Sequence, residues 1–140
     1  MDYQSYEGFS TSPIKIKVTR EMIADYARSI GETEILFFQY EEAIRKGYAD
    51  IPAPVSMPII FWQYIEAPWM NREKSFIHKY QSFHYDEPVM AGQTYSCKIT
   101  LKSVQSKRSF IVLENELVGT NESDVVIFIS NSTLIGGVKK

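Results

Sequence analysis

The sequence predicts an α+β fold, and three features carry that prediction. Residues 57–65 hold no charge and are apolar on every side of a helix. Segments with helical spacing lie before this stretch, and long alternating segments joined by short polar turns lie after it. Helices gathered ahead of an antiparallel run of strands define α+β rather than a parallel α/β sheet. A chain of 140 residues, 44% hydrophobic and 14% aromatic, fits one domain over 1–140 and can bury a real core.

Taken in order, residues up to Ser12 are polar and aromatic and predict an arm lying over the body. Ile14-Lys15-Ile16-Lys17-Val18 alternates apolar and charged residues, the pattern of a short half-buried strand. Thr19 is placed to cap a helix that has Glu21 in its first turn, where a carboxylate suits the helix dipole. Met22, Ile23, Tyr26, Ala27 and Ile30 then recur at helical spacing, and Gly31 closes the helix. The spacing predicts a loop rich in carboxylates and aromatics over 32–38 and a short helix over about 41–46, ending at Gly47.

The stretch around which the rest is arranged is Ala53-Pro54-Val55-Ser56-Met57-Pro58-Ile59-Ile60-Phe61-Trp62-Gln63-Tyr64-Ile65-Glu66. A helix apolar all round has to be buried on most sides. Pro54 and Pro58 suit the approach and the first turn, where a missing N–H costs nothing. Ser56 is placed to cap the free amides, and Pro68 to stop the helix soon after Ala67. Ile59, Ile60, Phe61 and Trp62 have high β propensity, which makes a strand the competing reading; the prolines and the length favour helix. Residues 71–74 read as a polar connection.

From His78 the pattern becomes β. Residues 83–88 read as an edge strand ending at a proline. After a turn at 90–93, Tyr95, Cys97, Ile99 and Leu101 face one way and Ser96, Lys98, Thr100 and Lys102 the other. Polar turns at 106–108 and 121–124 lead into strands over 110–118 and 125–135, an antiparallel meander.

Composition excludes several classes of function. A net charge of −2 and a pI near 5.7 leave no basic stripe for nucleic acid. The first residues lack the basic and apolar segments of a signal peptide, and no apolar run approaches the roughly 20 residues of a membrane span. The single cysteine, Cys97, has no partner for an internal disulfide. These features predict a soluble, cytoplasmic protein with no nucleic-acid or membrane partner.

Four stretches carry a resemblance to a known family. They are Arg20-Glu21-Met22-Ile23-Ala24-Asp25-Tyr26-Ala27-Arg28-Ser29-Ile30-Gly31-Glu32; Ala43-Ile44-Arg45-Lys46-Gly47-Tyr48 followed by Ile51-Pro52-Ala53-Pro54; Gln81-Ser82-Phe83-His84-Tyr85 with Pro88 and Ala91-Gly92-Gln93-Thr94; and Ser132-Thr133-Leu134-Ile135. Together they resemble the MaoC-like dehydratases, N-terminal dehydratase domain type, over nearly the whole chain. The resemblance implies a hot-dog fold, in which a curved antiparallel sheet wraps a central helix. It also implies acyl thioester chemistry, the addition of water to a trans-2-enoyl thioester or its removal from the 3-hydroxyacyl form.

That reaction needs a base for water, an acid for the α-carbon, and donors for the enolate-like thioester oxygen. The family supplies base and acid from one loop of the type G-D-x-N-P-x-H. Here the loop is Gly31-Glu32-Thr33-Glu34-Ile35-Leu36-Phe37. Glu32 stands at the aspartate position, Glu34 at the asparagine position and Phe37 at the histidine position. Phenylalanine exchanges no proton, so half of the family's catalytic pair is missing. In this class one half of a two-subunit pair often carries the acid and base while the other shapes the acyl site, and Phe37 suits that lining role.

Local readings compete with these. Glu32 just past a helix end is ordinarily a solvated residue, and Glu34 would raise its pKa only if both were buried. His78 and His84 are candidates to replace the lost acid, against ordinary strand histidines that bond locally. Two separated histidines and one cysteine give a metal site little support. Cys97 alternates with apolar neighbours and reads as a buried thiol rather than a nucleophile. Amides around Ala53, Pro54, Val55, Ser56 and Met57 would polarise a thioester carbonyl if they face a cleft; capping by Ser56 is the alternative.

The leading expectation is the non-catalytic or substrate-binding half of a 3-hydroxyacyl thioester dehydratase or enoyl-CoA hydratase. The alternatives are a self-sufficient (R)-specific hydratase with Glu32 as base and Glu34, a histidine or a water as acid, and a thioester-binding or assembly module without chemistry. Acyl-CoA or an acyl-carrier thioester is the expected ligand, with no further cofactor and no metal. An edge strand left unpaired by one sheet predicts a homodimer, or a heterodimer with a second hot-dog subunit.

Overall fold

A computed structural model describes residues 2–70 and 75–137. The expected connection at 71–74 lies outside them. The N-terminal arm makes a 3-10 turn, Tyr3–Tyr6, before strand β1 (Ile14–Lys17) and helix α1 (Arg20–Ser29). A 3-10 turn at Ile35–Phe37 leads to helix α2 (Tyr40–Arg45) and then to the central helix, Met57–Tyr64. Four long strands follow: β2 (Phe76–Tyr85), β3 (Thr94–Ser106), β4 (Phe110–Thr120) and β5 (Val126–Gly137).

The strands form one antiparallel sheet in the order β1-β3-β4-β5-β2. The meander holds for β3, β4 and β5. β2 departs from it, pairing with β5 at the far edge instead of with β3, the next strand in sequence. The reason is that β3 has no free side. β1 pairs with one half of it, and the arm takes the other through Gly8 N–H to Leu101 O (2.7 Å), Leu101 N–H to Phe9 O (3.0 Å) and Thr11 N–H to Ile99 O (2.9 Å). β2 is therefore an outer strand. It also begins earlier than the sequence predicts and ends before Pro88.

The concave face of the sheet is the core. Tyr95, Cys97, Ile99 and Leu101 are all buried, as their alternation predicts. Leu113 and Leu117 of β4 and Phe128 of β5 continue the layer. The central helix lies over it and differs from expectation in four ways. It winds as a 3-10 helix, not an α-helix, and ends at Tyr64, before Ala67. Pro58 withholds an amide, and β-branched and aromatic residues at 59–62 lose rotamer freedom against the preceding turn of an α-helix. With three residues per turn, Pro58 and Phe61 stack on one edge, and both are buried. It is also not buried all round, since Gln63 and Tyr64 face solvent. Ser56 does not cap the helix; its hydroxyl bonds to Tyr26 instead.

α1 forms as predicted, with Thr19 Oγ1 accepting from Met22 N–H at 3.1 Å, but Ile30 at its end is exposed. Gly31 follows at φ +75, in the left-handed region that glycine enters without strain. Two contacts fix this helix to the approach of the central helix. Arg20 forms a two-pronged ion pair with Asp50 (3.0 and 3.1 Å), and the Tyr26 hydroxyl meets Ser56 Oγ at 2.5 Å. Among the described residues no helix is long and apolar enough to cross a membrane.

Candidate functional site

The loop after α1 is built on Glu32. Its Oε1 accepts from the amides of Thr33 (2.9 Å) and Glu34 (3.0 Å), so the carboxylate organises the chain directly after it. Glu34 is exposed and its Oε2 lies 3.6 Å from Lys46 Nζ. The two carboxylates thus have different partners and are not a buried like-charge pair. Phe37 is half-buried and packs against the core, while Arg28 lies over the ring of Phe38 at 5.5 Å. No side chain able to exchange a proton occupies the position three residues after Glu34.

A cleft of about 240 Å³ lies beside the start of the central helix, and neither Glu32 nor Phe37 is among its lining residues. Ala53 and Val55 line one side, residues 85–89 the other. The wall is set by the connection from β2 to β3, which crosses the end of the sheet. Ala53 N–H donates to Val89 O (2.7 Å), Ala91 N–H to Ile51 O (2.9 Å) and Gly92 N–H to Val18 O (2.8 Å). Of the residues expected to bind substrate, Ala53 and Val55 face the cleft, and Pro54 and Met57 are buried beside it. Ser56 is half-buried and held by Tyr26.

Tyr85 of β2 lines this wall beside Asp86 and Glu87, and the sequence pattern assigns none of the three a role. Its hydroxyl donates to the carbonyl of Val55, and burial, with the Tyr26 phenol nearby, pushes its pKa well above the usual tyrosine value. It therefore remains a hydrogen-bond donor at any physiological pH. Its place two residues after Phe83 on an edge strand, facing the core side, was the available signal.

His84 is exposed, on the opposite side of the strand from Tyr85, with Nε2 3.6 Å from Asp86 Oδ1; His78 is exposed farther along β2. Neither is brought to the Glu32 loop by any contact. Burial pushes the Cys97 thiol up to about 12, so it stays protonated and inert, as a core cysteine does. Among the described residues no three His, Cys, Asp or Glu side chains gather as metal ligands would.

A curved antiparallel sheet around a central helix, with a cleft at the start of that helix, defines the hot-dog class. Comparison with known proteins narrows it. The sequence profile described as FAS1-like, dehydratase domain region matches residues 5–130. The chain belongs to this family. The UPF0336 protein of Thermobifida fusca is 29% identical over 126 residues, 84% of this chain and 83% of that one. Among solved structures, the C-terminally truncated HadBC (3R-hydroxyacyl-ACP dehydratase) complex of Mycobacterium tuberculosis superposes with a TM-score of 0.83, at 22% identity, over 94% of this chain and 97% of that one. R-hydratase PhaJ1 of Pseudomonas aeruginosa gives 0.71 at 10% identity, over 96% and 86%. These likenesses show the fold.

Proposed function

We propose that this chain is the non-catalytic, substrate-binding half of a 3-hydroxyacyl thioester dehydratase or enoyl thioester hydratase, working beside a second hot-dog subunit. The observation that carries the reading is the loop at 31–37. Phe37 stands where the family places its histidine, and the carboxylate oxygen of Glu32 that points into the loop is taken up by two backbone amides. The reaction needs both a base and an acid. On this reading the partner supplies both, and this chain supplies the cleft at residues 53–55 and 85–89 for an acyl-CoA or acyl-carrier thioester. The hetero-complex formed by the HadBC subunits supports a partner of the same fold.

A second reading keeps Glu32 as the base of a self-sufficient hydratase. Its support is that the two amide bonds hold the carboxylate in one orientation while the second oxygen makes no bond within the loop. Enoyl absorbance of a short trans-2-enoyl-CoA separates the two, with wild type and Glu32→Gln each assayed alone and with a candidate partner. The expected result is no turnover by the chain alone, and turnover with the partner that Glu32→Gln leaves within about threefold. Wild-type turnover alone, abolished in Glu32→Gln, would establish the second reading instead. Absence of turnover in every combination, with the thioester still bound, would leave a binding module without chemistry.

A further inference from the structure

The Tyr85 side of the cleft is backed by packed aromatic rings. Behind Tyr85 lies Phe128, ring centroids 6.1 Å apart, and Phe128 is itself wedged against Phe61 of the central helix (5.9 Å) and Tyr95 of β3 (6.2 Å). The ring fits because Gly119, directly across the β4–β5 pair, has no side chain; a Cβ there would lie 2.1 Å from Phe128 Cε1. Farther along the space between helix and sheet, Trp69 forms a second block. It is fully buried, its Nε1–H donates to Asn115 Oδ1 at 2.7 Å, and the arm covers it through Tyr6 (6.2 Å) and Phe9 (6.0 Å). An acyl chain entering beside Val55 therefore meets packed aromatic rings and has no continuous channel under the helix.

The cleft's 240 Å³ is below the roughly 300–1,000 Å³ of sites for larger ligands. Its walls are largely apolar, and Asp86 and Glu87 at the lining disfavour an acyl group that ends in a negative charge. We infer that this subunit takes a short, uncharged acyl group, and that Phe128, packed behind Tyr85, sets the length limit. The inference rests on the thioester reading above and adds to it the class of acyl group and the residue that selects it.

The thioester arm is common to coenzyme A and acyl carriers, so S-acyl-pantetheines are the probes. Calorimetric titration of the purified full chain compares S-butyryl-pantetheine, S-decanoyl-pantetheine and free pantetheine. Wild type is expected to bind the butyryl probe at least tenfold more tightly than either of the others. Phe128→Ala, or Phe128→Leu if the alanine variant does not fold, is expected to narrow the butyryl-to-decanoyl gap at least tenfold. Equal binding of both lengths by wild type overturns the inference and leaves the thioester reading in place. A gap that persists in a folded Phe128 variant overturns the role of Phe128. Acyl probes that bind no better than pantetheine defeat the thioester reading, and the inference falls with it. Repeating the butyryl measurement with butyryl-CoA distinguishes the carriers: tighter binding than the pantetheine form points to coenzyme A.

Discussion

Phe128 and Gly119 form a matched pair across neighbouring strands, one ring filling the volume that the other residue leaves empty. Gly119→Ala is expected to lose about 1–3 kcal/mol, because the methyl group forces the ring out of its packed rotamer; thermal unfolding reads it directly. Asp50 gives a second test at this scale. Its hydrogen bond to Arg20 holds its carboxyl below the ordinary aspartate value of 3.8, against a smaller opposing effect of burial. A depressed native pKa means stability that is fully present above 3.8 and lost as the pH falls through the native value. Asp50→Asn should therefore be less stable than wild type at neutral pH, with the difference vanishing in acid; unfolding midpoints across that range check it. The Arg20–Asp50 pair is visible only in the fold, since the two residues are 30 apart in sequence.

The elements divide by how local their causes are. Thr19, Glu21 and the apolar spacing of α1 act within a few residues, and the cap forms as the sequence predicts. Replacing Thr19 with alanine should cost about 1 kcal/mol, measurable by chemical unfolding, because Met22 N–H loses its acceptor. Long strands with one buried face were equally legible, from Tyr95, Cys97, Ile99 and Leu101 onward. The central stretch was legible as a buried helix but not as a 3-10 helix, which depends on how Pro58 and Phe61 meet the sheet. Ser56 has the chemistry of a cap, yet Tyr26 from another helix claims its hydroxyl. Glu32 and Phe37 were singled out by their place after Gly31, and the structure sets them in a loop that does not line the cleft. Tyr85 could not be assigned a role until the chain brought it against Val55.

At the scale of the molecule the two edges of the sheet are unequal. The β3 side is covered by β1 and by the arm, and the β2 side carries Ile77 and Tyr80 at 70% and 60% exposure. An uncovered strand with apolar side chains is a template for another strand. The paired variant Ile77→Lys with Tyr80→Lys is expected to abolish association with a hot-dog partner while leaving the thermal midpoint nearly unchanged, as both side chains face solvent. Sedimentation of the mixture tests this, and association that survives both lysines would place the interface elsewhere. That the strand around residues 83–85 lies at an edge was readable from the sequence, but its pairing with β5 rather than with β3 was not. That depended on the arm occupying β3 first.

The position of β5 has a consequence for how the protein is made. Among the described strands β5 is the last to be made, yet it lies inside the sheet, between β4 and β2. Until it is complete, β2 has no pairing partner; earlier still, the arm near Gln4 has waited for its contact at Val104 of β3, 100 residues later. Contacts so distant in sequence close slowly. During synthesis the nascent chain therefore carries two unfinished edges and an uncovered aromatic layer, the species most prone to aggregate or to recruit a chaperone. A partner that pairs along β2 therefore finds its edge in place only after β5 has been made.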